Sequence, residues 1–369
     1  MILDTGRSGD VWTVAFHPDG KHLLSGDNDG IRRWRLADGQ EVGKQTGIDR
    51  VYAISVSRNG KWIVCGTEKG ASVWDRELHE KIIHVEGENQ SVWGVDVSSD
   101  STWFATGTDL TVSIWSITSG TQLVGPLEHD SDVTGIRFSP TGERVASTCV
   151  GNYIRIFESR TGDKLVAIGI DIPRVMGTPL AWSSDGQQIF ATSSDKIIRS
   201  FNTSTGSQLA ESQTLHDDDD DVHSIALAAN RNFIATATPQ LILFLDTATL
   251  TQIGPAVEDD TNMWSTTISP DGNHLVNGRD DGKFVIHDLR KILSDVYAFN
   301  VSISSVLDVP HSITHPDKQC RYLFVRRCRN NLRNPADSSP KDATKVAMIS
   351  SRYQSVFFPP EPSSHDGIG

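Results

Sequence analysis

VWTVAFHPDGKHLLSG, residues 11 to 26, joins an apolar run, a Pro18-Asp19-Gly20 turn and a second apolar run that ends on small residues. Asp-Gly between two alternating runs is the strongest short-range cue for a β-hairpin, because glycine reaches the positive backbone angles that a tight turn needs. The same phrase returns six times. It reads VYAISVSRNGKWIVCG from Val51, VWGVDVSSDSTWFATG from Val92, VTGIRFSPTGERVAST from Val133, GTPLAWSSDGQQIFAT from Gly177, VHSIALAANRNFIATA from Val222 and MWSTTISPDGNHLVNG from Met263. The starts lie 40 to 45 residues apart, a length that suits a four-stranded unit.

After each hairpin a third strand closes on a large residue: Trp34, Trp74, Trp115, Phe157, Phe201, Leu245 and His287 in turn. A fourth strand follows a loop such as Thr118-Ser119-Gly120. These units resemble the WD-repeat family, whose four-stranded blades end on Trp-Asp. Trp74-Asp75 keeps the full dipeptide, while Leu245-Asp246 and His287-Asp288 keep only the Asp. The resemblance implies an all-β fold, a seven-bladed β-propeller of four-stranded antiparallel blades with an irregular C-terminal extension. In that family a His, a Ser or Thr, a turn Asp and the Trp form a hydrogen-bonded set that stiffens each blade. Here the His before the first strand survives only as His129 and His216. Blade three, with Thr106, Asp109 and Trp115, comes nearest to the set, so weaker blades than in a consensus array are expected.

The propeller is expected over residues 1–293. Met1-Ile2-Leu3 stands where a fourth strand would precede Val11, and is expected to close blade seven; the alternation of Tyr297, Phe299, Val301 and Ile303 is its competitor. Residues 294–369, with Pro310, Pro316, Pro335, Pro340 and a Pro359-Pro360-Glu361-Pro362 end, make no blade and are expected to be largely disordered.

A formal net charge of −13 argues against a nucleic-acid partner held by a basic face. The charge is uneven: the first 289 residues carry −17 and the remainder +4. Cys65, Cys149, Cys320 and Cys328 form no CxxC pair, which disfavours a zinc site or a disulfide scaffold and suits a reducing compartment. No apolar stretch is long enough to span a membrane, so the expected location is the cytoplasm, with the nucleus as the alternative. Catalytic motifs such as GxSxG, a P-loop or HExxH are absent, so neither an enzyme, a cofactor nor a metal is expected. His17 and His274 fall in or beside hairpin turns, where a surface position is the plain expectation.

The residue after the first position of each unit reads Trp12, Tyr52, Trp93, Thr134, Thr178, His223 and Trp264. Strand alternation aims it at the mouth of a propeller channel. Aromatic rings there either clamp an Arg or Lys side chain, worth on the order of 0.5 to 2 kcal/mol per pair, or simply plug the channel. The loops entering the same face are acidic: Asp49, Glu86, Glu88, Glu128, Asp130, Asp132, Glu258, Asp259, Asp260 and the run Asp217, Asp218, Asp219, Asp220 and Asp221. That run reads as a solvated loop or as part of a surface that attracts basic partners. The stretch Arg321 to Arg333 is basic and reads as a contact for RNA or anionic lipid, or as a tail folding across the acidic face. The function expected is a non-catalytic protein–protein interaction scaffold that binds peptide segments, basic ones above all, at the top face. The alternatives are a propeller enzyme or small-ligand binder using the central channel, and a degenerate copy with little binding function.

Overall fold

The computed structural model describes residues 1–294 apart from 5, 7, 8, 87–89, 152, 176–178, 216–220 and 229–231. Seven four-stranded antiparallel sheets surround a central channel as a seven-bladed β-propeller, and the one helix among the described residues is the single turn Leu289–Ile292. No helix among them is long and apolar enough to cross a membrane.

Local chemistry makes the blades. Gly20, Gly60, Gly186 and Gly272 turn the first hairpins at φ of 63, 68, 70 and 70°. The Asp before three of them steadies the turn, as where Asp19 Oδ1 accepts from the Lys21 amide at 2.8 Å and Asp271 Oδ1 from the Asn273 amide at 3.0 Å. Small residues closing the second strand have a different purpose. A Cβ on Gly26 would stand 2.7 Å from Val51, and one on Gly66, Gly107 or Gly278 would stand 2.8 to 2.9 Å from the Cγ1 of Val92, Val133 or Val11. Each glycine admits the inner strand of the next blade, and the Gly278–Val11 contact joins blade seven to blade one.

The core therefore lies between blades. Val11, Val14, Phe16, Leu23 and Trp34 of blade one pack with Val276, Phe284 and Ile286 of blade seven. Full burial of one such side chain contributes about 1.5–3 kcal/mol. In blade seven the strands Met263–Ile268, His274–Arg279 and Lys283–Asp288 are completed by Ile2–Asp4. Ile2 stands opposite Val285, Leu3 opposite Phe284 and Asp4 opposite Lys283, so the last blade presents no bare third strand. The competing segment, Tyr297 to Ile303, and the rest of the extension with Arg321 to Arg333 lie outside the described residues.

The stiffening set is only partly present. Trp34 Nε1 donates to Ser25 Oγ at 2.8 Å and Trp115 Nε1 to Thr106 Oγ1 at 2.9 Å. Among the described residues, blade two offers the buried Trp74 indole nitrogen only the weakly accepting sulfur of Cys65. Blade four keeps a different half, with His129 Nε2 2.8 Å from Ser147 Oγ and the imidazole against Phe157. Two expectations are corrected. Asp109 does not join Thr106 and Trp115; it accepts the indole N–H of Trp93 at 2.7 Å. His17 is not on the surface but 3% exposed, because its ring packs on the Gly60 turn of blade two with Nε2 3.0 Å from the Gly60 carbonyl.

Candidate functional site

The first residue of most units is locked into the core between blades: Val11, Val51, Val92, Val133, Val222 and Met263 are all buried. Strand alternation then turns the next side chain toward the channel. Five of these form an arc around one mouth. His223 stacks on Trp264 at 5.3 Å between ring centroids, Trp264 meets Trp12 at 5.2 Å, and Tyr52 meets Trp93 at 4.4 Å. Arg50 spans the break between Trp12 and Tyr52, its guanidinium 5.5 Å from the first ring and 6.0 Å from the second. Blades six, seven, one, two and three thus contribute to one band of π-faces. Blade four contributes Thr134, and Thr178 of blade five lies outside the described residues.

Polar atoms pin the arc from the loops that share this end. Asn28 Oδ1 accepts from Trp12 Nε1 and from Arg50 Nε, each at 2.8 Å. Asp109 holds Trp93, and His223 Nδ1 is 3.0 Å from the Met263 carbonyl. The indole nitrogen of Trp264 is buried without a hydrogen-bond partner among the described residues. A native structure leaves few such donors unmet.

Beneath the rings the channel holds a cavity of about 250 Å³, walled by Val14, Ile54, Val95 and Ile136 among others. Asp96 follows Val95 on the same inner strand, Gly94–Val97, and bonds Ser55 and Arg137 of the lining. Burial pushes its carboxyl above the ordinary range, while Arg137, the Phe138 amide and Ser55 pull it the other way. Oδ2 accepts from Phe138 N at 2.8 Å, and Oδ1 from Ser55 Oγ at 3.0 Å and Arg137 Nη1 at 3.4 Å. The carboxylate is thereby committed to tying blades two, three and four together.

The acidic rim differs from what a count of carboxylates suggests, because much of it is paired within the chain. Asp49 bonds Lys69 at 2.7 Å, Asp132 meets Arg174 at 2.5 Å, and Asp130 pairs with Arg155. Asp259 and Asp260 lie 3.3 and 3.5 Å from Arg279. Glu86, Glu128 and Glu258 are exposed, and Asp221 is half-buried. Asp217, Asp218, Asp219, Asp220 and Glu88 lie outside the described residues. Sequence reasoning missed Arg50 and Asn28. A signal existed for Arg50: it stands two residues before Tyr52, in a loop that enters the same face.

The family model described as "WD domain, G-beta repeat" matches residues 2–34, 39–75, 80–116 and 121–158. Small ribosomal subunit protein RACK1z of Arabidopsis thaliana is 37% identical over 73 residues, 20% of this chain and 22% of that protein. Intraflagellar transport protein 122 homolog of Xenopus tropicalis is 23% identical over 332 residues, 86% of this chain and 27% of its own. The chain thus spans about a quarter of the length of these two relatives. Among solved structures, the β-propeller domain of Cps50 (Swd1) from Myceliophteria thermophila matches with a TM-score of 0.66, covering 76% of this chain and 98% of that one at 18% identity. That likeness is one of fold.

Proposed function

This chain belongs to the WD-repeat β-propeller family, and from that premise we propose that it is a non-catalytic protein–protein interaction scaffold whose aromatic channel mouth takes basic peptide segments. One observation carries the proposal: the mouth already seats a guanidinium, that of Arg50, between Trp12 and Tyr52. A partner's Arg or Lys exchanges with Arg50 or settles over Trp93, Trp264 and His223. Exposed Glu86, Glu128 and Glu258, together with the run Asp217 to Asp221, steer basic segments inward.

The relatives' names put one in the small ribosomal subunit and another in intraflagellar transport. Buried free thiols at Cys65 and Cys149 suit the reducing cytoplasm or nucleus. A small-ligand or catalytic role for the channel finds less support. Asp96, the carboxylate bonded to the channel-lining Ser55 and Arg137, is already engaged in joining blades.

The test is capture of binding proteins from cell extract by wild type and by a Trp12→Ala plus Trp93→Ala variant. Expected is loss of specific partners while circular dichroism shows an intact fold. An unchanged set of partners removes the mouth from the proposal.

A further inference from the structure

At the other end of the first inner strand, Thr13–Phe16, from Trp12, the side chains of His17, Asp19 and His22 meet in the hairpin turn. Asp19 Oδ2 lies 2.9 Å from His17 Nδ1 and 2.8 Å from His22 Nδ1. The three atoms all fall within 4.8 Å of one another. Oδ1 of the same carboxylate is engaged elsewhere, accepting from the amides of Lys21 and His22 at 2.8 and 3.1 Å. Oδ2 alone faces the imidazoles.

His17 shows what the cluster lacks. Its Nε2 is 3.0 Å from the Gly60 carbonyl, a group that only accepts, so Nε2 carries the proton. Nδ1 in turn accepts from the Asp19 amide at 3.2 Å. In this neutral tautomer a lone pair faces a carboxylate oxygen at 2.9 Å, two acceptors in contact. Either a second proton or a metal cation resolves that contact. A ring N–H anchored on a backbone carbonyl is also the outer bond that orients ligating histidines. Gly60 allows this close approach, since a Cβ there would stand 2.8 Å from His17 Cε1.

We propose that His17 Nδ1, Asp19 Oδ2 and His22 Nδ1 bind a divalent transition-metal cation, with zinc as the ion tested. Two imidazoles and a carboxylate suit zinc, and three protein ligands leave a fourth position for water or for a donor from a partner. Ligand atoms around tetrahedral zinc stand about 3.3 Å apart. The two contacts to Asp19 must therefore open by roughly half an ångström on binding, and His17 Nδ1, whose one lone pair then goes to the ion, must release the Asp19 amide. His22, with 19% of its side chain exposed, has room to move. Arg76 Nη2, 3.7 Å from Asp19 Oδ2, is the nearby cation that the ion outcompetes. Through His17 and Gly60 the ion would fasten the blade-one turn to blade two.

The experiment is calorimetric titration of the untagged, metal-free full chain with zinc chloride, with cobalt(II) absorption in parallel. Expected is one ion per chain at micromolar affinity or better, weakened about tenfold or more in both His22→Ala and Asp19→Asn, with loss of the visible cobalt bands. His79→Ala, an exposed histidine on blade two, leaves binding unchanged. Unfolding midpoints of the metal-free variants establish that each is folded before titration. Absence of binding to wild type, or binding that survives in both cluster variants, overturns the proposal and leaves a second proton as what relieves the His17–Asp19 contact.

Discussion

Arg50 stands with its guanidinium 5.5 Å from the Trp12 ring, and a single acceptor, Asn28 Oδ1, holds both side chains at 2.8 Å. The cation seat of the mouth is thus filled from within, so an incoming basic side chain competes with a resident one. Arg50→Ala is expected to tighten the binding of an Arg-containing peptide by about two- to thirtyfold, the range that a cation–π contact of roughly 0.5–2 kcal/mol corresponds to. Fluorescence anisotropy with a labelled peptide measures it. Weaker binding would make Arg50 a contact rather than a competitor.

Blade five carries a carboxylate whose contribution depends on pH. The Arg199 guanidinium holds Asp195 down to about 2 from an ordinary 3.8, with the Ser193 hydroxyl helping and burial opposing. Because the folded value lies below the unfolded one, the stabilisation is present above pH 4 and disappears as pH falls from about 4 to 2. Asp195 is half-exposed, so screening limits the effect to about 1 kcal/mol. Asp195→Asn should cost that much at pH 7 and progressively less as pH falls from about 5 through 2. Urea unfolding at several pH values tests it.

The indoles of the third strands provide a matched pair of substitutions. Ser25→Ala removes the acceptor of Trp34 and strands a buried N–H, at a cost of about 1–3 kcal/mol. Among the described residues, Trp74 has only the weakly accepting Cys65 sulfur beside it. Cys65→Ser is therefore expected to be more stable than Cys65→Ala, since a hydroxyl oxygen is a stronger acceptor for the indole N–H than sulfur. Equal stabilities, or a less stable serine variant, would show that the Trp74 indole gains nothing from an acceptor.

Removal of Met1 to Asp4 uncovers the strand Lys283–Asp288 and takes Leu3 from its place against the core of blades one and seven. Lost burial and strand pairing together are worth about 2–4 kcal/mol. A lowered thermal midpoint is the expected outcome. Should the midpoint hold, another segment must supply the fourth strand.

The blades were legible in the sequence because their determinants are local. Asp19-Gly20 specifies a turn, Gly26 a close approach, and the alternation after Val11 or Val92 sends Trp12 or Trp93 into the channel. Contacts set by which loop meets which were not legible. Arg155 reaches Asp130, and Arg279 reaches Asp259, across strand registers that no spacing announces. Five of the rim carboxylates, Asp49, Asp130, Asp132, Asp259 and Asp260, are thereby paired within the chain. His17 looked like a turn residue until blade two's Gly60 covered it. Arg50 was passed over because a charged side chain in a loop has no periodicity, only a position beside Tyr52.

The role of the mouth is tested most directly by the indole N–H resonances of Trp12, Trp93 and Trp264, assigned by single Trp→Phe substitutions and followed while an Arg/Lys-rich peptide is titrated in. Saturable shifts of these three resonances, with Trp34 and Trp115 of the blade interior unmoved, are the expected result. A peptide that binds without moving them, or that moves only residues at the opposite end of the channel, would contradict it.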